Sequence, residues 1–286
     1  MVVVRGDEII LKGNDETLEF LTGFFGEIIE TARRGRAISE GDFRRLIDRP
    51  EGDSTPLYDE NESDVVVVTK SGYSIRPKTP RQREYVEAIN KCDVVLAIGP
   101  AGTGKTYLAV ASAVAALKSR RIDRIFLVRP VVEAGESLGF LPGDFQAKLD
   151  PYMRPIVDAL YEMLGPERTL KLQENGTIEI APLAYMRGRT LNNAYVILDE
   201  AQNTTVMQMK MFLTRLGANA KAMVNGDITQ IDLEPPSRSG LVAVQSILAR
   251  VDGIQFVYLN EEDVIRHRLV QRIITAFDRD RNNEGS

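Results

Sequence analysis

Short apolar runs followed by one longer periodic run open the chain. Val2–Arg5 and Glu8–Lys12 flank a Gly-Asp pair, a pattern typical of two strands joined by a tight hairpin turn. Asn14 is the kind of residue that caps the start of a helix. The helical spacing of the apolar residues after it predicts a helix that runs to about Arg34 and ends at Gly35.

A second short helix, a linker and a hairpin are expected next. A Ser-x-x-Asp capping pattern that begins at Ser39 predicts a helix through Ile47. Residues 49–63 contain two prolines, one glycine and several acids, which indicates a linker or mobile loop. Asp64–Lys70 and Tyr73–Arg76 then predict a hairpin around a Ser-Gly turn.

From residue 76 onward, apolar runs of strand length alternate with longer periodic runs. This alternation favours an α/β fold in which helices cover a parallel sheet. Val94–Ile98 is apolar throughout, as expected of a strand buried on both faces, and alanine-rich Lys105–Lys118 predicts a helix. The other expected strands are Ile125–Val128, Tyr195–Leu198, Lys221–Val224 and Ile254–Leu259. The other expected helices are Phe145–Leu164, Thr205–Leu216, Leu241–Arg250 and Asp263–Asp278.

Composition narrows the class of protein. The 286 residues are 43% hydrophobic and 27% charged, an ordinary globular balance. A net charge of −5 argues against a uniformly basic nucleic-acid coat but leaves local basic patches open. The single cysteine, Cys92, and the single histidine, His267, exclude an internal disulfide and a Cys/His zinc site. No run of 18 apolar residues occurs and the start of the chain is charged, so we expect a cytoplasmic protein without membrane contact.

One glycine-rich segment fits the phosphate-binding pattern G-x-x-x-x-G-K-[ST] in full, between an apolar strand and a helix. Glycines let backbone N–H groups converge on phosphate oxygens, and the helix N-terminus adds partial positive charge. Lys105 is expected between the β- and γ-phosphates of ATP, with the Thr106 hydroxyl on Mg²⁺. The alternative is a strand–helix turn that binds nothing. The predicted nucleotide-binding residues of this segment are Gly99, Pro100, Ala101, Gly102, Thr103, Gly104, Lys105, Thr106 and Tyr107.

Two acids follow a second apolar strand. Asp199 is the expected Mg²⁺ ligand, since this ion prefers oxygen ligands and retains several waters. Glu200 would then orient or deprotonate the water that attacks the γ-phosphate. The alternative is a solvated acidic strand end, which the neighbouring phosphate-binding segment disfavours.

Polar residues after a third strand suggest a sensor of the γ-phosphate. Asp227 and Gln230 could move with the phosphate when it is hydrolysed, and a plain Asn-Gly-Asp turn is the alternative. Gln82, at the start of the helix before the phosphate-binding strand, could read the adenine edge through its amide.

An arginine is expected to stabilise the charge that phosphoryl transfer develops. Arg266 and Arg268 lie at the start of the last predicted helix, and Arg187 and Arg189 lie just before the acidic strand. The sequence leaves open which of them serves, and whether it serves its own subunit or a neighbour. Any one of them is more often a surface residue.

Taken together, several motifs stand in one order. They are Gln82, the phosphate-binding segment, Arg129-Pro130, Arg187–Thr190, Asp199–Gln202, Gly226–Gln230 and Arg266–Arg268. This set closely resembles the PhoH-like ATPase family (PhoH/YbeZ type), named for phosphate-starvation induction in bacteria, over about residues 65 to 280. The resemblance implies a RecA-like core similar to superfamily 1 helicases, in which Gln82 contacts adenine. It also implies γ-phosphate contacts for Asp227, Gln230 and Arg266.

The same resemblance carries expectations about domains and partners. Family members of this type carry an N-terminal KH-like RNA-binding unit. Residues 1–48 are expected to be a truncated form of it that starts at the second strand and lacks a G-x-x-G loop. Residues 49–75 would be linker and hairpin, and 76–286 the ATPase domain. The family's links to RNA metabolism imply RNA as a partner and a YbeY-type endoribonuclease as another.

Two classes of function fit these residues. The first is an RNA-associated, Mg²⁺-dependent ATPase with a helicase-like or RNA-processing role. The second is a nucleotide-gated binding module that recruits an RNA-processing partner without unwinding. Glu200 favours the first, because a pure switch does not need a second acid. A small-molecule kinase is disfavoured, since no acceptor site is recognisable. A single core predicts a homo-oligomer, a hexamer by family resemblance.

Overall fold

The computed structural model describes residues 2–5, 8–33, 43, 46–47, 64–130 and 145–265. The chain divides into two compact units. The smaller comprises Met1–Asp64 with Ser71–Ser74, and the larger comprises Val65–Lys70 with Ile75–Ser286. Within the described parts of the chain, no helix is both long and apolar enough to cross a membrane.

The smaller unit begins with an antiparallel pair, β1 (Val2–Arg5) and β2 (Glu8–Leu11), as predicted. Helix α1 (Asp15–Arg33) follows. The Asn14 side chain accepts a hydrogen bond from the Thr17 backbone N–H at 3.0 Å, which confirms the expected cap.

Little of the next predicted segment is described. Phe43, Leu46 and Ile47 are helical, in agreement with the second short helix. The expected helix end at Gly35 and the linker over 49–63 lie outside the described residues. The hairpin after them is present, with strands of two residues each, β3 (Val67–Val68) and β4 (Ser74–Ile75).

A six-stranded, fully parallel sheet forms the centre of the larger unit. Its strands lie in the order β10-β5-β9-β8-β6-β7. They are β5 (Val94–Ile98), β6 (Arg124–Arg129), β7 (Ile178–Pro182), β8 (Ala194–Leu198), β9 (Lys221–Gly226) and β10 (Ile254–Tyr258). The helices are α2 (Pro80–Lys91), α3 (Lys105–Lys118), α4 (Phe145–Leu164), α5 (Pro166–Glu174), α6 (Val206–Leu213) and α7 (Gly240–Ile247). This is an α/β fold with a RecA-like core, as predicted for the larger unit. The KH-like nature of the smaller unit stays a prediction.

Burial explains why most strands could be predicted from the apolar pattern. Every residue of β5 and β8 is buried, as expected of inner strands covered on both faces. Strand β7 was missed, because it lies at the sheet edge and carries the half-buried Glu179. Helix α5 was missed too, since it is polar on nearly every side and buries only Thr169.

Three predicted helix bounds were wrong. Helix α6 ends at Leu213 and α7 at Ile247, each before the predicted end. The last predicted helix does not start at Asp263, which instead closes a 3₁₀ turn, and residues 264–265 are not helical. The Asp263 carboxylate accepts a hydrogen bond from the Asn260 N–H at 2.9 Å, so it caps the turn it belongs to.

The direction of the strands determines where chemistry can occur. Because all six strands are parallel, their carboxyl ends lie on the same side of the sheet, and this is the side where ligands bind in open α/β folds. The phosphate-binding segment follows β5 at this edge, Asp199 follows β8, and Asp227 follows β9. The three predicted motifs therefore meet.

Candidate nucleotide-binding site

The loop between β5 and α3, residues 99–104, has the backbone conformation that phosphate binding requires, and we call it the cradle. Gly102 and Gly104 have φ angles of 86° and 80°, a left-handed region that favours glycine. A Cβ atom on Gly99 would lie 2.4 Å from the Leu259 carbonyl oxygen, so this glycine allows close packing against the end of β10. Helix α3 has no side-chain cap, which leaves its first N–H groups available to an anion.

Lys105 holds this loop together. Its buried ammonium donates to the carbonyls of Gly99 at 2.6 Å and Pro100 at 2.7 Å, and to the Thr103 hydroxyl at 3.2 Å. All three donors of the ammonium are thereby used. Burial lowers the pKa of Lys105, while the charges of nearby carboxylates, Asp227 foremost, raise it. These contacts place the Lys105 ammonium within the loop, next to where phosphate would bind.

Thr106 and Asp199 meet beside the cradle. The Thr106 hydroxyl donates to Asp199 Oδ1 at 2.5 Å. Asp199 is only 6% exposed, and burial raises the pKa of its carboxyl group. A hydroxyl and a carboxylate are oxygen ligands of the kind Mg²⁺ prefers. Among the described residues, no three His, Cys, Asp or Glu side chains are grouped so that they could hold a metal ion by themselves.

Glu200 differs from its neighbour in both exposure and backbone. Its φ and ψ angles are 51° and 40°, in the left-handed region that few residues other than glycine occupy. Its side chain is 37% exposed. One carboxylate oxygen accepts from Arg129 Nη2 at 2.9 Å and the other from Gln202 Nε2 at 2.6 Å. Of the two acids, Glu200 is therefore the one that solvent can reach.

Gln202 joins Glu200 to the predicted sensor. Its Nε2 also donates to the Gln230 carbonyl oxygen at 3.1 Å, and its Oε1 accepts from the Asp227 N–H at 3.0 Å. Gln230 Nε2 in turn donates to Asp227 Oδ2 at 2.9 Å. Gly226 permits this approach, because a Cβ atom there would lie 2.8 Å from Gln202 Oε1. The structure thus links Glu200, after β8, to the loop after β9 that carries Asp227 and Gln230, which we call the sensor loop.

The contacts of Arg129 and Gln202 with Glu200 were not predicted from the sequence. Both residues belong to family motifs, but spacing along the chain gives no sign of a pairing between strand ends. Only the order of the strands reveals it, because β6 lies next to β8.

Gln82 flanks the cradle on the other side. It is buried, its Nε2 donates to the Thr103 carbonyl oxygen at 3.0 Å, and its Oε1 accepts from the Lys78 N–H at 2.7 Å. These contacts fix the amide at the base of the phosphate-binding loop. Its contact with adenine stays a prediction. Tyr107, the last predicted member of the loop, donates its hydroxyl to Glu162 of α4 at 2.7 Å.

The segment before Arg266 is attached to the cradle of its own chain. The Ile265 N–H donates to the Gly102 carbonyl oxygen at 3.1 Å. Buried Asp263 accepts from the hydroxyl of Thr79, the cap of α2, at 2.5 Å. Arg266 itself, the next residue in the chain, lies outside the described residues.

The other candidate arginines differ from one another. Arg189 forms a bidentate salt bridge with Glu179, in which Nη2 lies 2.8 Å from Oε2. The Arg189 guanidinium carbon also lies 5.0 Å from the centroid of the Phe126 ring. This pairing lowers the pKa of Glu179 and occupies the guanidinium fork. Arg187 is exposed, which leaves it the better candidate of the two to serve a neighbour. Arg268 lies outside the described residues.

Comparison with known proteins agrees with this geometry. The family model described as PhoH-like protein matches residues 74–278. A PhoH-like protein of Bacillus subtilis is 50% identical over 278 residues, which cover 97% of this chain and 87% of that protein. The chain belongs to the PhoH-like protein family. The predicted family resemblance is thereby confirmed, and with the RecA-like sheet the chain has a P-loop NTPase core.

Other members of the PhoH-like family have comparable sequence identity to this chain. A PhoH-like protein of Synechocystis is 48% identical over 281 residues, 98% of this chain and 86% of that protein. Protein PhoH of Escherichia coli is 41% identical over 255 residues, 87% and 72% respectively. Among solved structures, the large terminase of a thermophilic bacteriophage aligns with a TM-score of 0.44 at 12% identity, covering 69% of this chain and 50% of that one.

Proposed function

We propose that this protein binds ATP with Mg²⁺ and hydrolyses it. The observation that carries the proposal is the pairing of two unlike acids beside a complete cradle. Asp199 is buried against the Thr106 hydroxyl, while Glu200 is accessible. A bound Mg²⁺ would neutralise phosphate charge and orient the phosphates. A module that only binds nucleotide needs no accessible acid beside the metal ligand.

The residues divide the reaction between them. Lys105 exchanges its contacts with the loop for contacts with the β- and γ-phosphates, and Glu200 orients the attacking water. The water oxygen forms a bond to the γ-phosphorus as the bond to the β,γ-bridging oxygen breaks. The proton of the water passes to the Glu200 carboxylate, and ADP and phosphate leave. Asp227 and Gln230 contact the γ-phosphate and transmit its loss through Gln202.

We further propose that the ATPase cycle acts on RNA, with a YbeY-type endoribonuclease as a protein partner, in a cytoplasmic homo-oligomer such as a hexamer. Membership of the PhoH-like family supports the link to RNA. A single core in the chain supports the oligomer, since strand separation of the superfamily 1 kind uses two cores. ATP hydrolysis measured with a panel of structured and single-stranded RNAs tests this part, and stimulation by none of them would remove it.

Two substitutions test the hydrolysis itself. Glu200→Gln keeps the shape of the side chain but removes the base, so ATP should still bind while phosphate release slows by at least about 10²-fold. Lys105→Ala should lose ATP binding and turnover with the fold intact. Nucleotide affinity is measured by fluorescence titration, turnover by phosphate release, and folding by circular dichroism.

Glu87→Gln is the matched control, because this exposed glutamate on α2 contacts only Lys91 among the partners that the structure shows. It should leave both affinity and turnover unchanged. Full turnover in Glu200→Gln would transfer the water-activating role to another residue, with Gln230 the next to test. Full ATP affinity in Lys105→Ala would refute the cradle.

A further inference from the structure

Arg129 lies where the sheet brings a cation to the water-activating end of the site. It is the last residue of β6, and the preceding Val128 pairs with Leu198 of β8. The Asp199 N–H continues the ladder by donating to the Val128 carbonyl oxygen at 2.9 Å. Arg129 therefore stands beside the strand end that carries Glu200, and its side chain is only 19% exposed.

The Glu200 carboxylate is held from two directions. Gln202 holds one oxygen, and Gln202 is itself fixed because its amide nitrogen also donates to Gln230 and its carbonyl oxygen accepts from Asp227. That single contact leaves the carboxylate plane free to turn about the held oxygen. Arg129 holds the second oxygen at 2.9 Å and so sets the plane.

The backbone conformation of Glu200 is a second sign that its surroundings hold this residue in place. A residue other than glycine in the left-handed region persists only where its surroundings over-determine it. At Glu200, Arg129 and Gln202 hold the carboxylate that this backbone carries. The two contacts use two of the roughly four lone-pair positions of a carboxylate, which leaves room to accept from water. The pair thus orients Glu200 without blocking it.

We propose that Arg129 is the positioning residue of the hydrolysis step, whose guanidinium holds the Glu200 carboxylate in the orientation that receives the proton of the attacking water. This inference rests on the proposed function. It assigns Arg129 to the chemical step alone. Nucleotide binding stays with the cradle, whose Gly99 and Pro100 carbonyls hold Lys105.

The first test compares Arg129→Ala and Arg129→Lys with wild type. Turnover of ATP under saturating conditions should fall about 10- to 100-fold in Arg129→Ala, the size expected when a catalytic group is misplaced, while ATP affinity changes less than about threefold. Arg129→Lys should retain an intermediate rate, and added guanidinium should restore part of the Arg129→Ala rate. Arg154→Ala is the control, because Arg154 pairs with Asp158 on an exposed face of α4.

The second test places Arg129→Ala in the Glu200→Gln background. A residue that acts only through Glu200 should cause no further loss there, so the two effects should not add. A further loss of the same size as in the wild-type background would overturn the inference, as would wild-type turnover in Arg129→Ala or a loss confined to ATP affinity. If Arg129→Ala does not fold, Arg129→Lys alone decides between wild-type and reduced turnover.

Failure of the proposed function has a different signature. Wild-type turnover in Glu200→Gln would remove the water-activating role of Glu200 itself, whatever Arg129 does. Reduced turnover in Glu200→Gln together with wild-type turnover in Arg129→Ala would remove only the positioning role.

Discussion

At the scale of single residues, the extent of burial gives side chains of similar chemistry different roles. Asp199 and Glu200 are adjacent in the chain, yet one is 6% exposed and the other has a side chain that is 37% exposed. The same contrast separates Tyr85, which is fully buried, from Tyr258 on the surface. A buried hydroxyl must find a partner within the protein, whereas an exposed one can use water.

Tyr85→Phe should destabilise the fold. The Tyr85 hydroxyl donates to Asn225 Oδ1 at 2.6 Å, and Asn225 Nδ2 has no hydrogen-bond partner among the described residues. Without the hydroxyl, the buried Asn225 amide loses the side-chain partner that the structure shows, which should lower the free energy of unfolding by about 1–3 kcal/mol. Urea denaturation measures the change.

Tyr258→Phe is the control for that substitution. Its hydroxyl donates to Gln245 at 3.0 Å on the surface, where water can replace it. The free energy of unfolding should then stay within about 0.5 kcal/mol of wild type. Equal effects of the two substitutions would show that burial of the Tyr85–Asn225 pair is not what matters.

At the scale of elements, the site depends on how closely β9 and the turn after β8 approach each other. The contact is made at Gly226, the last residue of β9. A Cβ atom there would lie 2.4 Å from a Leu241 methyl and 3.0 Å from the Gln202 backbone nitrogen. A side chain can move aside, but a backbone nitrogen in a short 3₁₀ turn cannot do so without displacing the turn.

Gly226→Ala should therefore weaken both stability and ATP turnover. Overpacking of this kind costs about 1–3 kcal/mol, and displacement of Gln202 would disturb Glu200. Thermal unfolding and phosphate release measure the two effects. Gly26→Ala in α1 is the control, since a Cβ atom there meets nothing within 4 Å. Unchanged turnover in Gly226→Ala would mean that the approach of Gln202 to the sensor loop is not required.

Elements with a strong local signal could be predicted from the sequence. Strand β5 and helices α3 and α4 have the predicted bounds, because an apolar run or a long apolar stripe defines each of them. Strand β7 and helix α5 could not, since a short edge strand and a polar helix bury too little to leave a pattern.

The site shows the same limit. The residues of the cradle and the two acids were predicted because they are contiguous in the chain. The partners of Glu200 were not, because Arg129 lies 71 residues away and only the pairing of β6 with β8 brings it close. Nothing local in the sequence encodes that pairing.

At the scale of the whole molecule, the structure bears on whether Arg266 serves its own subunit. Ile265, the residue before Arg266, donates its backbone N–H to the Gly102 carbonyl oxygen in the cradle of the same chain. Ile265 is the last described residue before Arg266, and it is hydrogen-bonded to the phosphate-binding loop of its own chain. We therefore expect Arg266 to act in cis within the proposed oligomer.

Mixed subunits test this expectation. When Lys105→Ala protein is combined with Arg266→Ala protein, the ATPase rate should not exceed the sum of the two alone, because no subunit has both groups. Light scattering of the same mixtures establishes the oligomeric state. Recovery of activity in mixed oligomers would show instead that Arg266 reaches a neighbouring site. The same mixing with Arg187→Ala tests the exposed arginine for the trans role.

The left-handed backbone of Glu200 has a consequence for how such a protein evolves. Glycine would occupy that conformation with less strain, by about 1 kcal/mol or more, so the sequence that functions is not the sequence that folds best. A lineage or a laboratory library selected only for heat resistance would drift away from glutamate at this position. The presence of an acid at this position is therefore explained by the task proposed for Glu200 and not by the preference of its own backbone.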